Sequence, residues 1–212
     1  MIVRRIGISG LMGAGKTTCA CLFAAELQNA EGTVRLVDAD AEAKTIMRSD
    51  KTIQKKLMES FGKTVMSNGE IDFSLLGSLV FGAKSQLLIL NRIVHPLLLE
   101  RLRELIFSKS GEYVICDAAL ITLWHVEEWF DMLVWVQSSF EKRHERLMKK
   151  AKRPSEEVTR RMLLQQEMLP EPKQAPWEMI ENQGTIEELQ PRILSLCTMA
   201  NNVHSPSMKD GK

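Results

Sequence analysis

The sequence predicts a three-layer α/β fold in which helices cover both faces of a central, mostly parallel five-stranded sheet. Three observations carry this expectation. Short β runs alternate with helical stretches, a pattern satisfied by parallel strands joined through right-handed crossovers. The first β run leads directly into a glycine-rich octapeptide and then a helix. The next two β runs end in carboxylates, Asp38 and Asp40 after one and Asp117 after the other. Open parallel sheets bind ligands beyond the carboxyl ends of their strands. Gly10, Asp38, Asp40 and Asp117 are therefore expected to converge in one crevice.

The first strand is read from Ile2, Val3, Ile6 and Ile8. Residues Gly10 to Thr17, Gly-Leu-Met-Gly-Ala-Gly-Lys-Thr, fit the phosphate-loop pattern G-x-x-x-x-G-K-[ST] at every fixed position. Glycines let backbone N–H groups curl around a polyphosphate, the lysine reaches its β and γ oxygens, and the threonine hydroxyl suits Mg²⁺. The helix expected over Lys16–Asn29 adds its N-terminal dipole to the same anion site. An ordinary glycine turn leaves Lys16-Thr17 unexplained, so a nucleoside triphosphate site is expected.

A second strand over Thr33–Val37 ends at Asp38 and Asp40. A carboxylate near a phosphate loop can position an acceptor hydroxyl and take its proton. Asp40 is the candidate for that role. Asp38 is the runner-up for that role or a water-mediated Mg²⁺ partner, with helix capping as the structural alternative. From 41 to 112 no convincing strand is visible. Ile53, Leu57, Met58 and Phe61 recur at helical spacing, as do Leu75, Leu76, Leu79 and Val80. Leu87 through Ile106 is helical in pattern but is expected to break at His95-Pro96. This helical insert, about 49–109, is long enough to shape a second-substrate pocket. His95 is either a contact in that pocket or a polar residue preceding a helix-starting proline.

A third strand, Tyr113–Cys116, ends at Asp117, which occupies a Walker B position and can assist Mg²⁺, orient a catalytic residue or serve as a structural strand-end carboxylate. Met132–Val136 supplies a fourth strand and Met179–Ile180 a fifth, just before Asn182-Gln183-Gly184. Between them, basic residues crowd from Lys142 to Arg161, interspersed with Glu141, Glu145, Glu156 and Glu157. The mixed signs weaken a nucleic-acid reading. A cationic lid closing on a triphosphate, with Arg146 and Arg161 as its working members, fits better.

Composition excludes several classes. Net charge is +1 and no apolar run approaches a membrane span, so neither nucleic acid nor membrane is expected as a partner. The four cysteines, Cys19, Cys21, Cys116 and Cys197, form no C-x-x-C pair and are expected as buried reduced thiols. The four tryptophans are expected as core or pocket-wall residues. A cytoplasmic location and a monomer are favoured. One domain is expected over 1–200, with core segments 1–48 and 110–200, a lid about 146–178 and a flexible tail over 201–212.

To about Leu196 the chain resembles the dephospho-coenzyme A kinase family. The resemblance rests on an ordered series: the phosphate loop, Val-Asp-Ala-Asp at 37–40, Phe61-Gly62, Asn68-Gly69-Glu70-Ile71-Asp72, Val80-Phe81 and Val94-His95-Pro96-Leu97. It continues through Asp117-Ala-Ala-Leu120, Arg146-Leu-Met, Arg161 four residues before Gln165, and Ile180-Glu-Asn182-Gln-Gly184. The resemblance implies a nucleoside-monophosphate-kinase-like P-loop architecture. It also implies phosphorylation of the ribose 3′-hydroxyl of dephospho-coenzyme A with ATP and Mg²⁺. Under it, Gly10, Met12, Gly13, Ala14, Gly15, Lys16, Thr17, Thr18, Arg161 and Asn182 would bind ATP, with Thr17 on the metal. Asp40, Lys16 and Arg146 would be catalytic, and Asp38, Asp40, His95 and Asp117 would contact the acceptor.

The family's usual Asp-x-Pro-Leu-Leu-[FY]-Glu is here Asp117-Ala-Ala-Leu-Ile-Thr-Leu-Trp, without the proline or the glutamate. The usual lid Arg-Asp is Lys150-Ala151, and the basic Lys-x-x-Arg-Ala-Asp is Lys173-Gln-Ala-Pro-Trp-Glu178. The rival readings are a shikimate-kinase-like enzyme acting on another small alcohol, and a diverged, weakly catalytic ATP-binding relative.

Overall fold

The computed structural model describes residues 3–30, 32–108, 111–150, 154–169, 171–172 and 176–202. In chain order the elements are β1 Arg4–Ser9, α1 Lys16–Asn29, β2 Val34–Asp38, α2 Ala39–Ser49, α3 Lys51–Phe61, and the short β3 Met66–Ser67 and β4 Glu70–Ile71. They continue with α4 Phe73–Val80, α5 Lys84–Ile106, β5 Tyr113–Asp117, α6 Ile121–Trp124 and β6 Met132–Gln137. The chain closes with α7 Phe140–Lys150, α8 Ser155–Met168, β7 Trp177–Glu181 and α9 Ile186–Asn202.

Five strands form one sheet in the order β2-β5-β1-β6-β7, every neighbouring pair parallel. Successive side chains of a strand face opposite sides, and both sides here are apolar. In β5, Tyr113 and Ile115 join Phe23, Leu27 and Ile193 on the face covered by α1 and α9, while Val114 and Cys116 join Leu98 and Leu102 on the other. β6 repeats the division, with Met132, Val134 and Val136 on one side and Leu133 and Trp135 on the other. Two-sided burial requires near-continuous apolar runs, which is why these strands were legible. Trp135 is fully buried and meets Trp177 edge to face at 5.8 Å. Ring pairs of this geometry contribute about 0.5–1.5 kcal/mol beyond the area they bury.

The insert differs from expectation in two places. Met66–Ser67 and Glu70–Ile71 pair as a small antiparallel hairpin within the stretch expected to lack strands. Asn68 and Gly69 at its tip have φ values of 51° and 82°, the conformation an Asn-Gly hairpin turn requires. The second difference is α5, which runs unbroken through Pro96. Proline removes the bond to the carbonyl four residues earlier. Here Pro96 and Arg92 both lie on the exposed face, where solvent can satisfy that carbonyl.

α2 packs on α5, and α3 and α4 pack on α5 in turn, so the insert is a helical layer resting on the β2–β5 side of the sheet. Leu57, Leu98 and Leu102 lie at its apolar centre. Each fully buried leucine contributes about 1.5–3 kcal/mol. Cys19, Cys116 and Cys197 are buried free thiols whose ionisation is pushed up by desolvation. Cys21 corrects the expectation for its class: on the outer face of α1 it is exposed. Residues 203–212, most of the expected tail, lie outside the described residues.

Candidate active site at the phosphate loop

The loop between β1 and α1 is held from three sides. Gly15 is the residue before α1 and adopts φ 99°, a left-handed conformation. A Cβ there would also collide with the side-chain amide of Asn182. Only glycine combines that backbone angle with that proximity. Asn182, just after β7, donates from Nδ2 to the Ala14 carbonyl at 2.7 Å. Arg146 on α7 donates to Asn182 O at 2.9 Å and Oδ1 at 3.1 Å, to Ser138 Oγ at 3.1 Å, and to the Ala14 carbonyl at 3.3 Å. From the third side, Gln165 of α8 accepts the Met12 N–H at 2.6 Å.

Two cavities open around this loop. One, of about 280 Å³, is lined by Gly13, Gly15, Lys16, Thr17 and Thr18 from the loop and α1. Arg146, Leu147, Lys150, Asn182, Gly184, Thr185, Ile186 and Leu189 complete its wall. The other, of about 400 Å³, lies between α2, α4, α5 and α8. Its polar lining includes Lys16, Asp40, Lys44, Asn91, His95 and Gln165, against an apolar wall that includes Phe73, Phe81, Val94, Leu98 and Trp124. Lys16 is common to both cavities.

Electrostatics centre on Lys16. Desolvation lowers its pKa, and the carboxylates of Asp117, Asp40 and Asp38 oppose that shift. Thr17 donates its hydroxyl to Asp117 Oδ2 at 2.6 Å. Burial pushes the Asp117 pKa up, while the Thr17 hydrogen bond and Lys16 pull it down. A hydroxyl and a carboxylate are hard oxygen donors, suited to Mg²⁺ that keeps most of its water and phosphate ligands. Among the described residues no cluster of three or more His, Cys, Asp or Glu could hold a metal by itself.

Several expected site residues are placed differently. Asp117 faces Thr17 at the phosphate loop and does not line the larger cavity. Asp38 caps α2, accepting at Oδ1 from the N–H groups of Asp40 at 2.9 Å and Ala41 at 3.0 Å. It too stands outside the larger cavity's lining, because the cap turns it back along its own helix. Arg161 does not line the smaller cavity: it ion-pairs with Glu157 at 2.6 Å and stacks over Phe81 at 4.4 Å. Gly10 packs its α-carbon against the Val136 carbonyl, giving the loop its exit from β1 without lining either cavity. Met12 lines the larger cavity and Ala14 is buried beneath the loop.

Sequence reasoning missed the roles of Gln165, Ser138, Thr185 and Ile186. A helical glutamine carries no motif for a backbone partner 153 positions away. It also missed Arg143, buried below the loop, which donates to Ser138 O at 3.2 Å and to Gln166 Oε1 at 3.1 Å. The sequence places Arg143 within the basic stretch read as a cationic lid.

The comparisons with known proteins agree with this geometry. A family model described as CoaE, dephospho-CoA kinase, matches residues 4–188. A dephospho-CoA kinase of Bacillus cereus is 31% identical over 192 residues, covering 89% of this chain and 92% of that protein. The crystal structure of TT1252 from Thermus thermophilus superposes with a TM-score of 0.69 at 27% identity, covering 94% of this chain and 98% of its own. A dephospho-CoA kinase from Campylobacter jejuni superposes with a TM-score of 0.57 at 18% identity, over 94% and 98% of the two chains, which speaks to the fold alone. With a phosphate loop set between two cavities, a doubly covered parallel sheet and a family match over nearly the whole length, this chain belongs to the dephospho-CoA kinase family.

Proposed function

We propose that the chain transfers the γ-phosphoryl group of ATP to the ribose 3′-hydroxyl of dephospho-coenzyme A. The observation that carries this reading is the position of Lys16, shared by a loop-side cavity and a larger cavity that holds Asp40. A donor phosphate cradled by the loop and an acceptor hydroxyl at Asp40 would then meet across one ammonium group.

In this reading the triphosphate lies on the backbone N–H groups at the start of α1, and Lys16 neutralises charge at the transferred group. Arg146 acts from behind the loop, fixing the Gly13–Ala14 carbonyls so that the N–H groups face the phosphates. Asp40, exposed on the first turn of α2, orients the acceptor hydroxyl and accepts its proton as the bond to phosphorus forms. Thr17 would hold Mg²⁺, with Asp117 behind it, and the ion would supply positive charge to offset that of the phosphates. α8 would serve as the lid, excluding water where Gln165 meets Met12.

The size and apolar lining of the larger cavity favour an extended acceptor over a small polyol. A monomer in the cytoplasm is the setting proposed; among the described residues no helix is long and apolar enough to cross a membrane.

The test is phosphoryl transfer from Mg·ATP to dephospho-coenzyme A, shikimate, adenosine and AMP. Dephospho-coenzyme A phosphorylated at the ribose 3′ position in clear preference is the expected result. Asp40→Asn should lower kcat about 100-fold or more while leaving the KM for ATP within about twofold. Near-normal turnover of that variant at saturating substrate would remove Asp40 from the mechanism.

A further inference from the structure

Trp124, at the end of α6, meets His95 of α5 in the lining of the larger cavity. Its indole N–H donates to His95 Nδ1 at 3.1 Å, and the two rings stand edge to face with centroids 5.4 Å apart. An indole nitrogen is a donor only, so the imidazole nitrogen that receives it must carry a lone pair. A neutral imidazole has one N–H. The proton of His95 therefore belongs on Nε2.

The second nitrogen has no protein partner among the described residues, and His95 is half-buried in the cavity wall. The charged groups on that cavity are Lys16, Lys44 and Asp40. Desolvation pushes the His95 pKa down to about 4, with no carboxylate holding a second proton on the ring. A ring in this state offers one fixed, uncharged donor. Of the other polar groups of the cavity, Gln165 Oε1 is occupied by Met12 and Lys16 and Asp40 are assigned to the transfer itself, which leaves Lys44 and Asn91 beside His95.

We propose that Trp124 is a positioning residue that locks His95 in the Nε2–H tautomer, so that His95 donates a neutral hydrogen bond to a lone-pair oxygen or nitrogen of the acceptor. The inference rests on the larger cavity being the acceptor site. Trp124 follows directly on the segment 117–123 in which this chain departs from its family's usual Asp-x-Pro-Leu-Leu-[FY]-Glu. Without the indole, His95 samples both tautomers, and in one of them Nε2 turns a lone pair toward an acceptor lone pair. Binding weakens, whereas the transfer step at Asp40 keeps its groups.

Two measurements test this on the full chain. In protein labelled with ¹⁵N-histidine, long-range ¹H–¹⁵N correlations at pH 7 should show His95 protonated on Nε2 alone, its signals identified by their loss in His95→Gln. Trp124→Phe, which keeps an aromatic ring, should bring the two nitrogen shifts together. In steady-state kinetics, Trp124→Phe and His95→Gln should each raise the KM for dephospho-coenzyme A about 3- to 10-fold, the range of a lost neutral hydrogen bond. kcat and the KM for ATP should stay within about twofold, and the double variant should be no worse than His95→Gln alone.

A wild-type His95 protonated on Nδ1, or on both nitrogens, overturns the proposal without recourse to any variant. Fully additive KM effects overturn it as well, leaving Trp124 as cavity wall. If the wild type transfers no phosphate to dephospho-coenzyme A, the functional reading falls, and the tautomer lock still stands or falls on the nitrogen shifts.

Discussion

The Asn182 side-chain amide holds the Ala14 carbonyl at 2.7 Å, tying the end of the last strand to a loop 168 residues earlier. The bond works in concert with Arg146, which reaches both partners, so the phosphate loop is braced from beneath by a buried polar network. In a buried network the loss of one member leaves the others unsatisfied, which costs more than one average hydrogen bond.

Asn182→Ala should therefore destabilise the fold by about 1–3 kcal/mol and weaken ATP binding about tenfold. Denaturant unfolding and calorimetric titration with ATP measure the two effects. An unchanged ATP affinity would mean that the loop keeps its shape without the brace.

Asp117 couples stability to function in opposite directions. Burial raises its folded-state pKa above the unfolded value, so the native chain holds this proton more tightly. Stability from this group is present at acid pH and is lost as pH rises from the unfolded value through the raised one. Asp117→Asn removes the buried charge and keeps a hydrogen-bonding partner for Thr17. It should raise Tm at pH 7, with the gain over wild type shrinking toward about pH 4. Activity should fall over the same range of Mg²⁺ concentrations that saturates the wild type.

His95 titrates with the other sign. Its folded pKa of about 4 lies below the ordinary 6.5, so the unfolded chain binds the proton more readily. Its contribution is complete above pH 6.5 and declines as the pH falls toward 4. His95→Gln should accordingly flatten the acid side of a Tm–pH profile between those values. A profile parallel to that of wild type would show that the ring is charged or solvated in the folded protein.

Gln165 links α8 to the phosphate loop through the Met12 N–H at 2.6 Å, while the adjacent Gln166 accepts from buried Arg143 at 3.1 Å. Two consecutive side chains thus dock one helix on two parts of the site. Gln165→Ala should loosen that docking by about 1 kcal/mol. The expected result is faster limited proteolysis within 154–169 and a lower kcat, with a smaller change in the KM for ATP. Unaltered proteolysis would assign the docking to Gln166 and the apolar contacts instead.

Much of the fold was legible because its strands are buried on both faces. Runs such as Tyr113–Cys116 and Met132–Val136 have no other compact use, and α1 begins at Lys16 as the loop motif requires. The hairpin at 66–71 was missed because two-residue strands are shorter than any periodic signal. Pro96 misled because the chain does not announce that its proline lies on a solvent-facing stripe, where a lost backbone bond is inexpensive.

The candidate site divides the same way. The loop glycines, Lys16, Thr17 and Asp40 were readable, since their chemistry depends on local backbone shape and on nearness to one strand end. Whether a carboxylate caps a helix, as Asp38 does, or backs a hydroxyl, as Asp117 does, was settled by where neighbouring elements came to rest. The partnerships of Gln165 with Met12, Asn182 with Ala14, and Trp124 with His95 join residues separated by 153, 168 and 29 positions. Sequence alone determined the sheet, the phosphate loop and the placing of the Asp40 carboxylate just after the second strand, because periodicity and local turn chemistry specify them. Tertiary structure alone decided which polar groups face one another, because long-range hydrogen bonds arise from packing that no local pattern encodes.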